Sequence, residues 1–246
     1  MEQTVVVAIL FAVVATLYAS VGHAGASGYL AVMAIAGVQP GIMRPTALVL
    51  NILVATIVVF RFARAGRIAW RSLVPFVIAS IPLAFIGGLI VLPGSVYKPL
   101  VGIVLLGAAV RFFVTAGRFP GDEQEVKVPT APAVGIGGVI GLMSGLTGTG
   151  GGILLTPLLL FLRWAGPRMA AGLSSAFILA NSTAGLAGNF ASVRVIPDSL
   201  VYWLPAVGIG ALIGSELGAR RLSPPGIRRA LALVLVVAGL KLIFQG

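Results

Sequence analysis

The sequence predicts an all-α polytopic membrane protein made of two inverted-topology repeats of about five hydrophobic segments each, with glycine-broken helix hairpins. Three observations carry this. Of 246 residues, 59% are hydrophobic and only 9% charged, against about 25% charged in a soluble domain. Apolar runs of roughly 18–22 residues recur along the chain, each long enough to cross a hydrocarbon core of ~30 Å. One run in each half is cut by glycine, at Gly22-His23-Ala24-Gly25-Ala26-Ser27-Gly28 and at Gly148-Thr149-Gly150-Gly151-Gly152.

The elements follow in order. Segment one, Thr4 to Val21, has no basic leading region or clean cleavage site and reads as a retained helix. Segment two, Tyr29 to Val38, is too short to span alone and reads as a half-helix or one arm of a re-entrant hairpin. Gln39-Pro40-Gly41 turns the chain into segment three, about Arg44 to Phe62, which carries Asn51 in its apolar body. Segment four runs from Ser72 to Leu92 with kinks expected at Pro75 and Pro82, and segment five from about Tyr97 to Thr115. The stretch 116–132 is rich in proline and glycine and holds Asp122, Glu123, Glu125 and Lys127, the composition of a solvated linker. Segments six to ten follow at Ala133–Thr147, Ile153–Leu162, Ala170–Ala191, Leu200–Ala219 and Ile227–Phe244. The domains are therefore a first transmembrane repeat, 1–115, a cytoplasmic linker, 116–132, and a second transmembrane repeat, 133–246.

The halves repeat in register. A shift of 130 places Asn51 on Asn181, Pro75 on Pro205, Gly88 on Gly218 and Lys98 on Arg228, and before Asn51 the shift falls to about 124. Arginines follow segment three in the first half (Arg61, Arg64, Arg67, Arg71) but segment nine in the second (Arg220, Arg221, Arg228, Arg229). With arginine-rich loops on the cytoplasmic side, the halves point in opposite directions, both termini lie outside and the linker inside.

Composition removes several functions. Without cysteine there are no disulfides, thiolate metal sites or thiol nucleophiles. One histidine and no buried acidic cluster leave no metal site to expect, and no cofactor is called for. The net charge of +11 is accounted for by basic residues at helix ends, and no basic run has the aromatic interleaving of a nucleic-acid surface.

The breaks are where chemistry is expected. Helix N-termini present unpaired N–H groups and a partial positive charge, which together bind anions. Paired breaks in the two halves of a transporter point to its substrate site. The expected substrate-binding residues are Ser27, Gly28, Thr149, Gly150, Gly151 and Gly152 at the breaks, with Thr46, Asn51, Ser174, Ser175 and Asn181 lining the cavity. His23, the single histidine, is the proton-coupling candidate. Glu216 is expected to pair with Arg220 at a helix end, and Arg44 to snorkel to the interface. The glycine stripes Gly137/Gly141/Gly145 and Gly210/Gly214/Gly218 read as packing faces. Two other classes stay open, an anion channel and an intramembrane serine protease using Ser174 with His23.

The run Gly145-Leu146-Thr147-Gly148-Thr149-Gly150-Gly151-Gly152, then Pro157, then Gly172-Leu173-Ser174-Ser175, resembles the signature of the sulfite exporter TauE/SafE family, and Gly22 to Asn51 resembles that family's N-terminal half. The first break departs from the triplet, with Ala26-Ser27-Gly28 in place of three glycines. The resemblance implies a bacterial or plant integral membrane protein that moves sulfur-containing anions such as sulfite, organosulfonates or thiosulfate. The inverted repeats imply alternating access around a central site, and the resemblance implies export and a place in the bacterial inner membrane. The expected partners are a small anionic substrate and the lipid bilayer, with a homo-oligomer left open and no nucleic acid.

Overall fold

The computed structural model describes residues 2–114, 128–189, 197–220 and 225–244. Most of the linker expected at 116–132 lies outside the described residues, as do Arg194 and Arg221. The described residues form ten helices: α1 (Glu2–Ala19), α2 (Ala26–Ile35), α3 (Pro40–Arg64), α4 (Trp70–Leu89), α5 (Gly94–Val114), α6 (Thr130–Thr147), α7 (Gly152–Phe161), α8 (Pro167–Gly188), α9 (Leu200–Arg220) and α10 (Pro225–Phe244). Five of them, α3, α4, α6, α8 and α9, are long and apolar enough over their described length to cross a membrane. This is the all-α polytopic membrane architecture expected from composition.

Helix starts differ most from the sequence reading, and proline is the reason. Pro40 opens α3 rather than turning the chain before it, and Pro167 opens α8 three residues ahead of the expected Ala170. At a first helical position the missing N–H is not needed and the fixed φ suits the helix. Pro75 and Pro82 lie inside one unbroken helix, α4.

Outward-facing rows such as Ile78, Phe85, Ile103, Val139, Ile209 and Ile213 are exposed. Such contiguous apolar surface suits a lipid surround and not water. The helices meet one another through small residues. A Cβ at Gly137, Gly141 or Gly145 of α6 would collide with the backbone of Phe76, Ser80 or Ala84 of α4. In a second pair that joins the two halves, Gly210 and Gly214 of α9 press on Ala12 and Thr16 of α1 in the same way. Both stripes are the packing faces their spacing predicts, carried by the leading helix in one pair and by its partner in the other. Gly218 lies outside the described side chains.

These contacts also give chain directions. α6 runs parallel to α4, since 137, 141 and 145 meet 76, 80 and 84, and α1 runs parallel to α9. α3 and α8 run antiparallel: Leu48 meets Gly185, Asn51 meets Ser182, and Arg67, just past α3, meets Gly172. α5 and α10 cross through Gly102 and Gly239. The end of α3, with Arg61 and Arg64, therefore lies on one face with the start of α8. The start of α3 lies on the other face with the end of α4.

Two charged residues have partners that the sequence did not point to. Glu216 of α9 pairs with Arg61 of α3, while the side chain of Arg220 is outside the described residues. Arg44 does not snorkel. It is 5% exposed, and its guanidinium donates to the carbonyls of Gly87 (2.7 Å), Gly88 (2.6 Å) and Ile90 (2.8 Å). The last carbonyls of a helix have no intrahelical partner. In a low-dielectric surround Arg44, with its fork of donors, is what satisfies them for α4.

Candidate functional site

The breaks exist because the backbone turns there in a way that only glycine takes without strain. Gly22 and Gly25 in the first break, and Gly148, Gly150 and Gly151 in the second, have φ between 74° and 101°, the left-handed region where a Cβ is penalised. Gly148 caps α6 by donating its N–H to the Ser144 carbonyl at 2.8 Å. Neither Gly25 nor Gly151 offers a side chain to cap the helix that follows.

The two breaks reach comparable depths from opposite faces. Gly22 lies against Ala171, fifth residue of α8, and Gly148 against Arg44, fifth residue of α3. The chain then turns back. Ala26, first residue of α2, donates its N–H to Asn51 Oδ1 at 3.1 Å. Gly152, first residue of α7, lies against Ile178. Asn51 and Ile178 are both the twelfth residue of their helices, so α2 and α7 begin midway along α3 and α8 and run outwards from there.

The two N-termini meet at one residue. Asn51 accepts from the start of α2 through Oδ1 and donates to Ser182 Oγ of α8 at 3.1 Å through Nδ2. A Cβ at Gly150 would collide with that same amide nitrogen and lie 2.9 Å from Ser182 Oγ. Asn51 thus supplies from across the fold the cap that Gly25 lacks. Its polar atoms, like those of the residues around it, are buried, so the meeting point is closed in this conformation.

A second polar chain ties the first break to the second half. His23 Nδ1 faces the Val21 carbonyl at 3.0 Å, and Nε2 faces Thr156 Oγ1 of α7 at 3.0 Å. Thr156 Oγ1 lies 2.6 Å from Ser174 Oγ of α8. His23 therefore reaches Ser174 through Thr156, and the two do not form the direct Ser–His pair a serine nucleophile needs. On the opposite side Tyr97 donates its hydroxyl to the Thr147 carbonyl at 3.0 Å, and Thr147 Oγ1 and Thr149 Oγ1 are 3.0 Å apart. A cavity of about 50 Å³ lined by Arg44, Tyr97 and Asn189, among others, lies on this side.

The expected site residues divide accordingly. Asn51 and Gly150 come together, with Gly152 one turn away on α8's Ile178. Ser27 lies beside them but bonds Tyr18 through their hydroxyls at 2.9 Å. Gly28 faces Val14 of α1, where a Cβ would not fit, and is a packing residue. Thr149 bonds Thr147, and Ser175 turns onto the Gly172 carbonyl of its own helix at 2.8 Å. Thr46 is fully buried, with no partner for its hydroxyl among the described residues. Gly151 presses on Ile140 and Phe177.

Asn181 does not mirror Asn51. It is the fifteenth residue of α8, nearly one turn beyond the place Asn51 holds in α3, and it donates to the Phe177 carbonyl of its own helix at 2.8 Å. The shift of 130 matches residue types, whereas the helix starts correspond at 127, Pro40 with Pro167. Sequence reasoning left Tyr18, Tyr97 and Thr156 out of the site and gave Ser182 no role of its own. Thr156 had a signal: it is the one hydroxyl in the apolar run of α7, where lipid would leave it unpaired.

The sequence profile described as sulfite exporter TauE/SafE matches residues 7–242. The chain belongs to the sulfite exporter TauE/SafE family. Among curated relatives of this TauE/SafE chain, the probable membrane transporter protein y4hK of Sinorhizobium fredii is 40% identical over 246 residues, 98% of this chain and 99% of that one. The probable membrane transporter protein YjnA of Bacillus subtilis is 29% identical over 248 residues, covering 94% and 96%. No solved structure matches. The TauE/SafE chain is thus a multi-pass membrane transporter.

Proposed function

We propose that this TauE/SafE protein is a secondary transporter of small sulfur-containing anions, exporting sulfite, an organosulfonate or thiosulfate across a bacterial inner membrane by alternating access. The observation that carries the reading is the convergence of the α2 and α7 N-termini on Asn51 in the middle of the fold. Two positive helix ends aimed at one point attract an anion without a buried cation. Asn51 Oδ1 stands where an oxygen of the anion would sit, and an arriving oxyanion exchanges with it.

Opposed chain directions of α3 and α8 support two inverted repeats that rock about this point. The break at Gly22 and His23 closes one side, with Thr156 and Ser174. The break at Gly148 closes the other, with Arg44 and Tyr97. His23, bonded across the halves to Thr156, couples a proton to the opening of its side.

Flux into proteoliposomes tests the reading. Sulfite flux that saturates, follows an imposed pH gradient and is reduced by sulfonates or thiosulfate is the expected result. Unsaturable currents would make the protein a channel. No flux of any of these anions in folded protein would discard the substrate class.

A further inference from the structure

Apart from the proposed anion site, a layer of buried polar side chains lies between α4, α6 and α8. Among the described residues, Ser80 Oγ of α4, Ser144 Oγ of α6 and Asn181 Oδ1 of α8 are buried with no hydrogen-bond partner, and all three residues are 0% exposed. Hydroxyls on apolar helices ordinarily turn back to a carbonyl of the preceding turn. Thr16, Thr147 and Thr183 do so here, and Ser80 and Ser144 do not.

The packing ladder puts the three in one layer. Along α4 and α8, Phe76 meets Phe177 with ring centroids 6.4 Å apart. Two turns further on, Ala84 meets Gly185, which also lies against Gly145 of α6. Ser80 and Asn181 occupy the turn between these two contacts. Gly141 of α6 presses on Ser80, and Ser144 sits between Gly141 and Gly145, its Cβ 3.5 Å from where a Cβ of Gly151 would be. The floor of the layer is aromatic and its roof is glycine and alanine.

The chemistry of the layer selects its occupant. The amide nitrogen of Asn181 is committed to the Phe177 carbonyl, so an acceptor-only oxygen faces inward and repels an anion. Ser144 lies in the last turn of α6, the negative end of that helix. Three neutral oxygens, that of Ser144 at a helix C-terminal end, resemble the coupling-ion sites of broken-helix transporters, where such ends coordinate Na⁺. The described residues hold no cluster of acidic or histidine side chains, the donor set that divalent ions take. Short side chains between helices held at glycine contact favour a small ion.

The geometry points to a Na⁺ site formed by Ser80, Ser144 and Asn181. Its ligands come from the first half (α4) and the second (α6 and α8), so a bound ion ties the halves together in this closed conformation.

The test is the unfolding midpoint of the purified protein in detergent, in NaCl, KCl or choline chloride at equal ionic strength. NaCl at about ten times its Kd raises the midpoint by about 3–6 °C over choline. Asn181→Leu and Ser144→Ala remove that Na⁺-specific rise, and Thr183→Ala, whose hydroxyl bonds its own helix, retains it. Equal midpoints in the three salts mean that the layer holds water alone and overturn the site. Should Asn181→Leu not fold, saturable ²²Na⁺ binding is measured on the parent and on Ser80→Ala. A loss of tenfold or more in affinity supports the site, and an unchanged affinity, or no saturable binding by the parent, overturns it.

Discussion

Arg44 shows how much one side chain does in a bilayer. Three carbonyls at the end of α4 depend on its guanidinium, and lipid offers them nothing in exchange. Arg44→Lys keeps the charge but not the fork. We expect a loss of about 1–3 kcal/mol, the cost of unsatisfied buried groups, seen as a lower unfolding midpoint in detergent; a midpoint equal to the parent's would assign those carbonyls another partner. His23 is tested by transport. His23→Gln can still bond Thr156 but does not change charge, so the dependence of flux on pH should flatten, and a parental profile would remove its coupling role. At this scale the sequence marked Asn51, Gly150 and His23 as residues turned into the protein, as they are, because a polar or flexible residue in an apolar run has few reasons to face lipid. Arg44 was misjudged, and the Arg61 partner of Glu216 missed, because these partners are 43 or more positions away, where spacing carries no information.

The helices themselves were legible in number, order and type, and their ends mostly to within a turn. Their starts were misplaced at Pro40 and Pro167 because proline both ends one helix and opens the next. Glycine spacing read the α6 face against α4, and substitution there should be asymmetric. Gly145→Ala meets the Ala84 backbone and Gly141→Ala that of Ser80, so both should lower stability. Gly135→Ala on the same helix meets nothing within 4 Å and should be neutral or stabilising by about 0.5–1 kcal/mol. Equal effects at the three positions would break the assigned interface. The second break has its own test. Gly150→Ala combines φ +74° with a collision at Asn51 and should abolish flux at near-parental expression. Parental flux would take Gly150 out of the site.

At the scale of the molecule the chain contains no cysteine, so single cysteines report topology cleanly. Gln39, before α3, and Arg163, before α8, are both exposed. With inverted halves, Gln39→Cys should react with an impermeant reagent from outside intact cells and Arg163→Cys only after the cytoplasmic face is opened. Labelling of both from one side would refute the inversion. Composition, run length and the two glycine breaks by themselves determined a helical membrane protein with paired breaks, because lipid forces backbone polar groups into helices and tolerates an interruption only inside the protein. Only the tertiary structure decided that Asn51, rather than a symmetric pair with Asn181, joins the two half-helices. The register between distant helices is set by glycine-to-backbone contacts such as Gly141 on Ser80 and Gly185 beside Gly145, and matching residue types along a repeat does not record which face of a helix those contacts turn inward.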